Sequence, residues 1–216
     1  MGLTYNPFFC RITQYRLIVV DENLLLLFPT PVWMVENLIS EKENEEIANH
    51  ILSVKDSIPG KGESVWFSGK NSPQNSFDTD YKNPIFNNLL TKINEQALEY
   101  AKVLKFEESR IKTREWWWNV YKKENFQEYH GHVPYYFSGV YFCKAPEGSS
   151  PITFRHPNFN HFVPNYERNQ YNSSSKAILA VERNLIIFPS DFIHCVAPGT
   201  NEEPRITISF NYGGIV

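Results

Sequence analysis

The chain has 216 residues, a formal net charge of −3, and 42% hydrophobic and 15% aromatic residues. This composition suffices for a sizeable core in one domain, or one domain with helical additions, and argues against disorder along the whole chain. The near-neutral charge without a long basic run does not indicate a nucleic-acid binder, and the longest apolar run, residues 24–35, is too short for a membrane helix.

Three widely separated cysteines, Cys10, Cys143 and Cys195, do not form the even set typical of a disulfide framework. They favour a reducing compartment, and we expect a cytoplasmic protein. The first sixteen residues also lack the pattern of a secretory signal.

In chain order, residues 1–23 have no clear pattern and are treated as an N-terminal extension. A strand and a proline-rich turn are predicted over residues 24–34. Ser40 and Glu43 match a capping box that predicts a helix over about residues 41–53. Residues 56–82 are polar and predict a long surface loop. A second helix of about 20 residues is expected to begin at Asn83-Pro84 and to lie against a sheet.

From Glu115 onward, short apolar or alternating runs are separated by turn residues. They cover residues 116–121, 135–142, 151–155, 177–181, 185–188, 192–196 and 205–212. Short strands at this spacing predict an antiparallel sandwich or barrel. In the last run, polar residues alternate with apolar ones from Arg205 to Tyr212. This alternation fits either a sheet with one solvated face or a barrel whose polar face lines a cavity.

Three histidines are candidate metal ligands. His130 and His132 are separated by one residue and would point to the same side of an extended strand, and His194 would come from a distant strand. Imidazole is a good ligand for iron, zinc, copper or nickel. Two histidines at this spacing are a weak pattern alone, since surface or core histidines show it too. Glu128 and Asp191 are nearby carboxylates that could ligate the metal or orient these histidines.

Arg205 is the candidate anion-binding residue. It begins the polar face of the last predicted strand, and its planar guanidinium can hold a carboxylate through two parallel hydrogen bonds. Thr207, two residues on, can add a hydroxyl from the same side. The alternative is an ordinary surface arginine next to Glu202 and Glu203.

Several segments together resemble the iron(II)- and 2-oxoglutarate-dependent oxygenases. They are residues 118–121 (WNVY), 130–132 (HGH), 138–141 (SGVY), 188–190 (FPS) with His194, and 205–211 (RITISFN). The sequence is most similar to a branch of these enzymes from marine bacteria and their phages, whose N-terminal opening resembles residues 27–31. The resemblance extends from about residue 25 to the end of the chain.

The resemblance implies a mainly β protein with helices (α+β), with a double-stranded β-helix, or jelly-roll, core and helices packed on one sheet. Its oxygenase domain would cover residues 24–216, with helical support at about 40–105 and the core at about 115–216. It implies iron(II), 2-oxoglutarate and O2, and a reaction, expected to be hydroxylation, that couples oxoglutarate decarboxylation to oxidation of a small-molecule or peptidyl substrate.

By the same resemblance, His130, His132 and His194 hold the iron, and Arg205 with Thr207 holds the distal carboxylate of oxoglutarate. Asn119 and Tyr121 share a face of the first barrel strand and are further candidate contacts to oxoglutarate. His132 stands where most such oxygenases have a carboxylate. Three neutral imidazoles leave the charge of the iron to be offset by the oxoglutarate dianion.

Two other functions remain open at this stage. One is a cupin-type dioxygenase or isomerase that uses the three histidines without oxoglutarate. The other is a non-enzymatic jelly-roll binding or structural protein whose metal is structural. The sequence identifies no catalytic residue beyond the metal site, and it predicts neither the substrate nor the oligomeric state.

Overall fold

The computed structural model describes residues 18–21, 24–26, 29–58, 72–76, 80, 82–157, 167, 169 and 171–213. The helices are α1 (Glu41–Val54) and α2 (Asn87–Val103), with 3-10 turns at Pro84–Phe86 and Glu108–Arg110. The strands are β1 (Ile18–Asp21), β2 (Leu24–Leu26), β3 (Trp33–Val35), β4 (Gln74–Asn75), β5 (Lys112–Tyr121), β6 (Gln127–His130), β7 (Phe137–Lys144), β8 (Ile152–Arg155), β9 (Ser175–Ile178), β10 (Leu185–Pro189), β11 (His194–Val196) and β12 (Arg205–Gly213).

The chain divides into two compact units, up to Pro31 and from Val32 onward. In the first unit, β1 and β2 form an antiparallel pair in which Ile18 lies opposite Leu26. The predicted domain boundary at residue 24 falls within this first unit. The second unit contains both helices and all the other strands. Within the described ranges, no helix is both long and apolar enough to cross a membrane.

Both helices begin where their capping residues predict. The Ser40 side chain accepts a hydrogen bond from the Glu43 backbone N–H at 3.3 Å, and the Glu43 carboxylate accepts one from the Ser40 backbone N–H at 3.2 Å. This reciprocal pair satisfies two of the free N–H groups at the start of α1. At the second helix, the Asn83 side chain caps a 3-10 turn that leads directly into α2.

The remaining strands of the second unit form two antiparallel sheets. The larger sheet has the order β3-β10-β7-β12-β5-β4, and the smaller one β6-β11-β8-β9. Their facing sides enclose a cavity lined by residues of both sheets. This is the expected jelly-roll core, and it leaves the outer face of the larger sheet for the helices.

Alternation along the strands builds two apolar clusters on the two sides of the larger sheet. On β10, Leu185 and Ile187 pack under the helices, whereas Ile186 and Phe188 pack between the sheets. On β12 every residue from Arg205 to Gly213 is buried. The polar side of this strand therefore faces the interior, which confirms the cavity interpretation over the solvated face.

The segment around the paired histidines differs from the prediction. Strand β6 ends at His130, and His132 lies in the loop that follows, so the two histidines do not share one strand. The backbone N–H of His132 donates to the Ser190 carbonyl at 2.7 Å rather than to a strand partner. The two-residue strand β4 also lies inside the predicted loop 56–82.

Candidate functional site

The three predicted histidines converge on one point. His130 ends β6 and lies directly opposite His194 at the start of β11, and His132 follows two residues later. One ligand nitrogen from each ring lies within 4.8 Å of the corresponding nitrogens of the other two. The ring centroids of His130 and His194 are 4.4 Å apart. Three nitrogens this close can bind one metal ion.

Backbone carbonyls orient two of the three rings. The Nδ1 atom of His130 lies 2.7 Å from the Glu128 carbonyl oxygen, and that of His194 lies 2.8 Å from the Phe192 carbonyl oxygen. A carbonyl oxygen only accepts, so each Nδ1 carries the proton. Each Nε2 is therefore left with its lone pair, as a metal ligand requires.

Burial keeps the imidazoles neutral. It lowers the pKa of His130 and, with the neighbouring His130 contributing, lowers the pKa of His132 to about 4. Burial places the pKa of His194 well below its usual value, and the other two histidines add to this effect. At neutral pH all three rings can act as ligands without first losing a proton.

The two nearby carboxylates do not join this group. In the part of the chain that the structure describes, the metal-ligand cluster around these nitrogens contains the three histidines alone. Glu128 contributes its backbone carbonyl to His130, and Asp191 is exposed. The cluster thus has no anionic ligand from the described residues.

Arg205 is buried in the same cavity, with 2% of its surface exposed. Its guanidinium carbon lies 4.5 Å from the centre of the Tyr121 ring and 5.7 Å from that of Phe142. The Nε and Nη1 atoms have no hydrogen-bond partner among the described residues. A buried cation without a counter-ion is costly, so this position is suited to an anion from outside the protein.

The acidic residues near Arg205 in sequence have other partners. The Glu202 carboxylate pairs with Lys123 at 3.0 Å, and the Glu203 carboxylate pairs with Lys144 at 2.6 Å. No ion pair joins Arg205 to a carboxylate within the described part of the chain. The interpretation of Arg205 as an ordinary surface residue is therefore wrong.

The other predicted contacts to oxoglutarate occupy two layers. Tyr121 and Thr207 line the cavity beside Arg205. Asn119 lies behind them, where its amide donates to Thr207 Oγ1 at 3.3 Å and to Ser209 Oγ at 3.2 Å. Its amide oxygen accepts from Asn75 at 3.0 Å. In this structure Asn119 holds Thr207 and Ser209 in place rather than lining the cavity.

Gln127 and Trp117 are among the cavity residues that the sequence did not assign to the site. Gln127 accepts a hydrogen bond from the Tyr121 hydroxyl and faces inward like His130, although the two are three residues apart. A break in register between β6 and β11 explains this, because a bulge shifts the alternation by one residue. Trp117 also lines the cavity; it is half-buried, and its ring centre lies 6.0 Å from that of His132.

Three comparisons bear on what this site is. Residues 115–211 match the sequence model of a family described as "Putative 2OG-Fe(II) oxygenase". Among curated proteins, none matches the chain significantly.

Several solved structures share the fold at low sequence identity. A Pseudomonas putida prolyl-4-hydroxylase has a TM-score of 0.64 at 11% identity, covering 87% of this chain and 94% of that one. A viral collagen prolyl hydroxylase from Paramecium Bursaria Chlorella virus-1, a 2-oxoglutarate complex, has 0.57 at 12%, covering 85% and 96%. HygX from Streptomyces hygroscopicus, with nickel and 2-oxoglutarate bound, has 0.57 at 10%, covering 86% and 83%.

The structural likeness confirms the predicted double-stranded β-helix fold. The family match covers the β-rich C-terminal part of the chain, including every residue predicted for the site. Residues 115–211 are thus similar to the family described as "Putative 2OG-Fe(II) oxygenase", in agreement with the resemblance predicted from the sequence motifs.

Proposed function

We propose that His130, His132 and His194 hold iron(II), and that Arg205 with Thr207 binds the distal carboxylate of 2-oxoglutarate. The enzyme would couple the decarboxylation of oxoglutarate to the hydroxylation of a small-molecule or peptidyl substrate. The single observation that supports this most is a buried guanidinium with free donors in the same cavity as three converging imidazoles.

Charge supports a dianionic co-substrate. Three neutral imidazoles leave the charge of a divalent metal uncompensated, and Arg205 adds a further buried positive charge. 2-Oxoglutarate has a carboxylate at each end, so one molecule can place a negative charge beside each of these two positive groups. The Nε and Nη1 donors of Arg205 have no partner among the described residues and are available to an incoming carboxylate.

Iron(II) with oxoglutarate and O2 supplies the oxidising power for this reaction class. The protein orients the substrate and provides a cavity that excludes water. Apolar side chains from both sheets, including Val140, Ile152 and Phe188, line the cavity and keep water from the reacting groups. Trp117 and His132 are only half-buried, whereas His194 is 3% exposed. We infer that the substrate approaches from the side of Trp117 and His132.

The alternatives make different demands on the site. A cupin-type dioxygenase or isomerase without oxoglutarate has no need of a buried, unpaired Arg205. A protein with a structural metal would have a closed ligand set, whereas the cluster here has three ligands and lacks an anionic one in the described residues. Both observations favour the oxoglutarate-dependent reaction.

The test is succinate formation by the purified protein with iron(II), oxoglutarate and O2, with and without candidate substrates. We expect turnover in the wild type and its loss in His194→Ala. His50→Ala is the matched control. His50 lies on α1, away from the cluster, and is a largely buried histidine that pairs with Asp80. Under anaerobic conditions, iron(II) with oxoglutarate should also give a weak visible charge-transfer band.

Other outcomes would support the alternatives. O2 uptake that does not depend on oxoglutarate would favour the cupin-type enzyme. Unfolding after metal removal, with no turnover under any condition, would favour the structural role.

We also propose a cytoplasmic location, because both cysteines of the described chain, Cys143 and Cys195, are free thiols. The similarity to the marine bacterial and phage branch is proposed from the sequence motifs. We propose no nucleic-acid partner.

A further inference from the structure

His132 differs from the other two histidines in how the fold holds it. His130 and His194 lie in strands, whereas His132 lies in a loop. One residue, Ser190, ties this loop at two places. Its carbonyl accepts from the His132 backbone N–H at 2.7 Å, and its own N–H donates to the Tyr136 carbonyl at 3.2 Å.

The side chain of Ser190 begins a buried chain of hydrogen bonds across the larger sheet. Its hydroxyl oxygen lies 2.7 Å from that of Ser138. The Ser138 hydroxyl donates to the Asn211 amide oxygen, and the Asn211 amide nitrogen donates to the Glu115 carboxylate, each at 2.7 Å. Ser190, Ser138 and Asn211 are at most 2% exposed.

The carboxylate of Glu115 fixes the direction of every bond in this chain. An ionised carboxylate only accepts, so the Asn211 amide nitrogen must face it and the amide oxygen must face Ser138. Ser138 has a single hydroxyl proton, which it donates to Asn211. The remaining bond therefore has Ser190 as donor. Reversing one member leaves a buried polar group without a partner, which costs about 1–3 kcal/mol.

We propose that Glu115, Asn211, Ser138 and Ser190 form a positioning network for His132. The network fixes the Ser190 side chain, and the Ser190 backbone holds the loop that presents the imidazole. This rests on the proposed function, in that His132 is taken to be a metal ligand. Groups that orient metal ligands commonly change metal affinity about 10- to 100-fold when altered.

The test reverses the donor and acceptor roles at the Glu115 end. Asn211→Asp places a carboxylate against that of Glu115 and removes the donor between them. Adding Glu115→Gln restores a donor, because the glutamine amide nitrogen can donate to the new carboxylate, and returns the total charge to its original value. The probe is Co(II), whose dissociation constant and visible spectrum report ligand geometry without turnover.

We expect Asn211→Asp to raise the Co(II) dissociation constant about tenfold or more and to change the Co(II) spectrum. Asn211→Asp with Glu115→Gln should return both within about threefold of the wild type. Simple electrostatics predicts the opposite for the single variant, because added negative charge strengthens cation binding. If Asn211→Asp does not fold, Ser190→Ala removes the first hydroxyl of the chain and should weaken Co(II) binding in the same direction.

Asn44→Asp is the matched control for general destabilisation. Asn44 lies on the buried face of α1, away from the histidines, and is 6% exposed. It donates to the Cys143 carbonyl at 2.9 Å and accepts from the Tyr141 hydroxyl at 2.7 Å. This variant should lower the unfolding midpoint and leave Co(II) affinity unchanged. Equal effects of Asn44→Asp and Asn211→Asp on Co(II), or no rescue by Glu115→Gln, would overturn the positioning role.

Failure of the proposed function would look different. In that case wild-type Co(II) binding would be absent or insensitive to His194→Ala. If Co(II) binding depends on His194 but does not change in Asn211→Asp, the positioning role of the network is rejected and the proposed metal site stands.

Discussion

Arg205→Met separates stability from ligand binding in a single substitution. Methionine replaces the aliphatic part of the arginine and removes the charge. In the unliganded protein, Arg205 is a buried cation that contacts the Tyr121 and Phe142 rings and has no ion pair with a carboxylate of the described residues. Such cation–π contacts contribute about 0.5–2 kcal/mol, less than the cost of burying a charge. We therefore expect the metal-loaded, oxoglutarate-free protein to be as stable as wild type or more stable, by about 1–2 kcal/mol.

Binding of oxoglutarate should change in the opposite direction. Without the guanidinium, the distal carboxylate would be buried without its charged partner. Removing one member of a buried charged pair costs about 2–5 kcal/mol. We expect a loss of about 3–4 kcal/mol in the free energy of oxoglutarate binding, which corresponds to a dissociation constant about 100- to 1000-fold higher. Arg205→Lys keeps a charge but lacks the planar fork, so it should fall between wild type and Arg205→Met.

The assays are urea unfolding without oxoglutarate and calorimetric titration of oxoglutarate into the anaerobic Co(II) protein. The control is Arg155→Met, which makes the same chemical change at a half-buried arginine on β8 that does not line the cavity. Its oxoglutarate affinity should stay at the wild-type value. Unchanged affinity in Arg205→Met, or an unfolding free energy lowered by several kcal/mol, would refute the reasoning.

Two further predictions concern stability. The pKa of His132 is about 4 in the folded protein and 6.5 in the unfolded chain. The unfolded chain therefore binds the proton more readily, and the metal-free protein should lose stability as the pH falls from about 6.5 toward 4. This residue should account for a loss of about 3 kcal/mol in the free energy of unfolding. Urea midpoints after chelation test this, and an equal loss in His132→Ala would contradict it. Gly139→Ala should cost about 2–3 kcal/mol, because the new Cβ would lie 2.7 Å from the Ile186 carbonyl oxygen and against the Phe210 ring. Gly131→Ala, which meets the flexible end of the Ile193 side chain at 3.1 Å, should cost less in the same unfolding assay.

Local rules predicted the parts of the structure that depend on neighbours in sequence. The capping box of Ser40 and Glu43 gave the start of α1 because both partners lie within one turn. The alternation from Arg205 to Tyr212 indicated a strand with two distinct faces. Burial of the polar face could not be predicted, because it depends on the second sheet covering it.

The site was predictable in its residue types and less so in its geometry. His130, His132 and His194 converge, but the loop position of His132 depends on Ser190, which is far away in sequence. The inward position of Gln127 could not be predicted, because the alternation of side chains along a strand is shifted at a register break. Asn119 has the right face for the cavity, yet its amide is taken up by Thr207 and Ser209, which only the packed sheet reveals.

The absence of an anionic ligand in the described part of the cluster has a thermodynamic consequence. The resemblance to 2-oxoglutarate-dependent oxygenases implies a carboxylate at the position of His132 in most of them, and such a carboxylate would offset part of the metal charge before oxoglutarate binds. Under the proposed function, oxoglutarate supplies this negative charge, so metal and oxoglutarate should strengthen each other's binding. Such coupling typically amounts to about 1–3 kcal/mol, or about 5- to 150-fold in each dissociation constant, and is equal in both directions. We expect the Co(II) dissociation constant to fall by such a factor at saturating oxoglutarate. His132→Asp should bind Co(II) more tightly alone and show a smaller factor, and a coupling unchanged by His132→Asp would show that the charge of the ligand set is not its source.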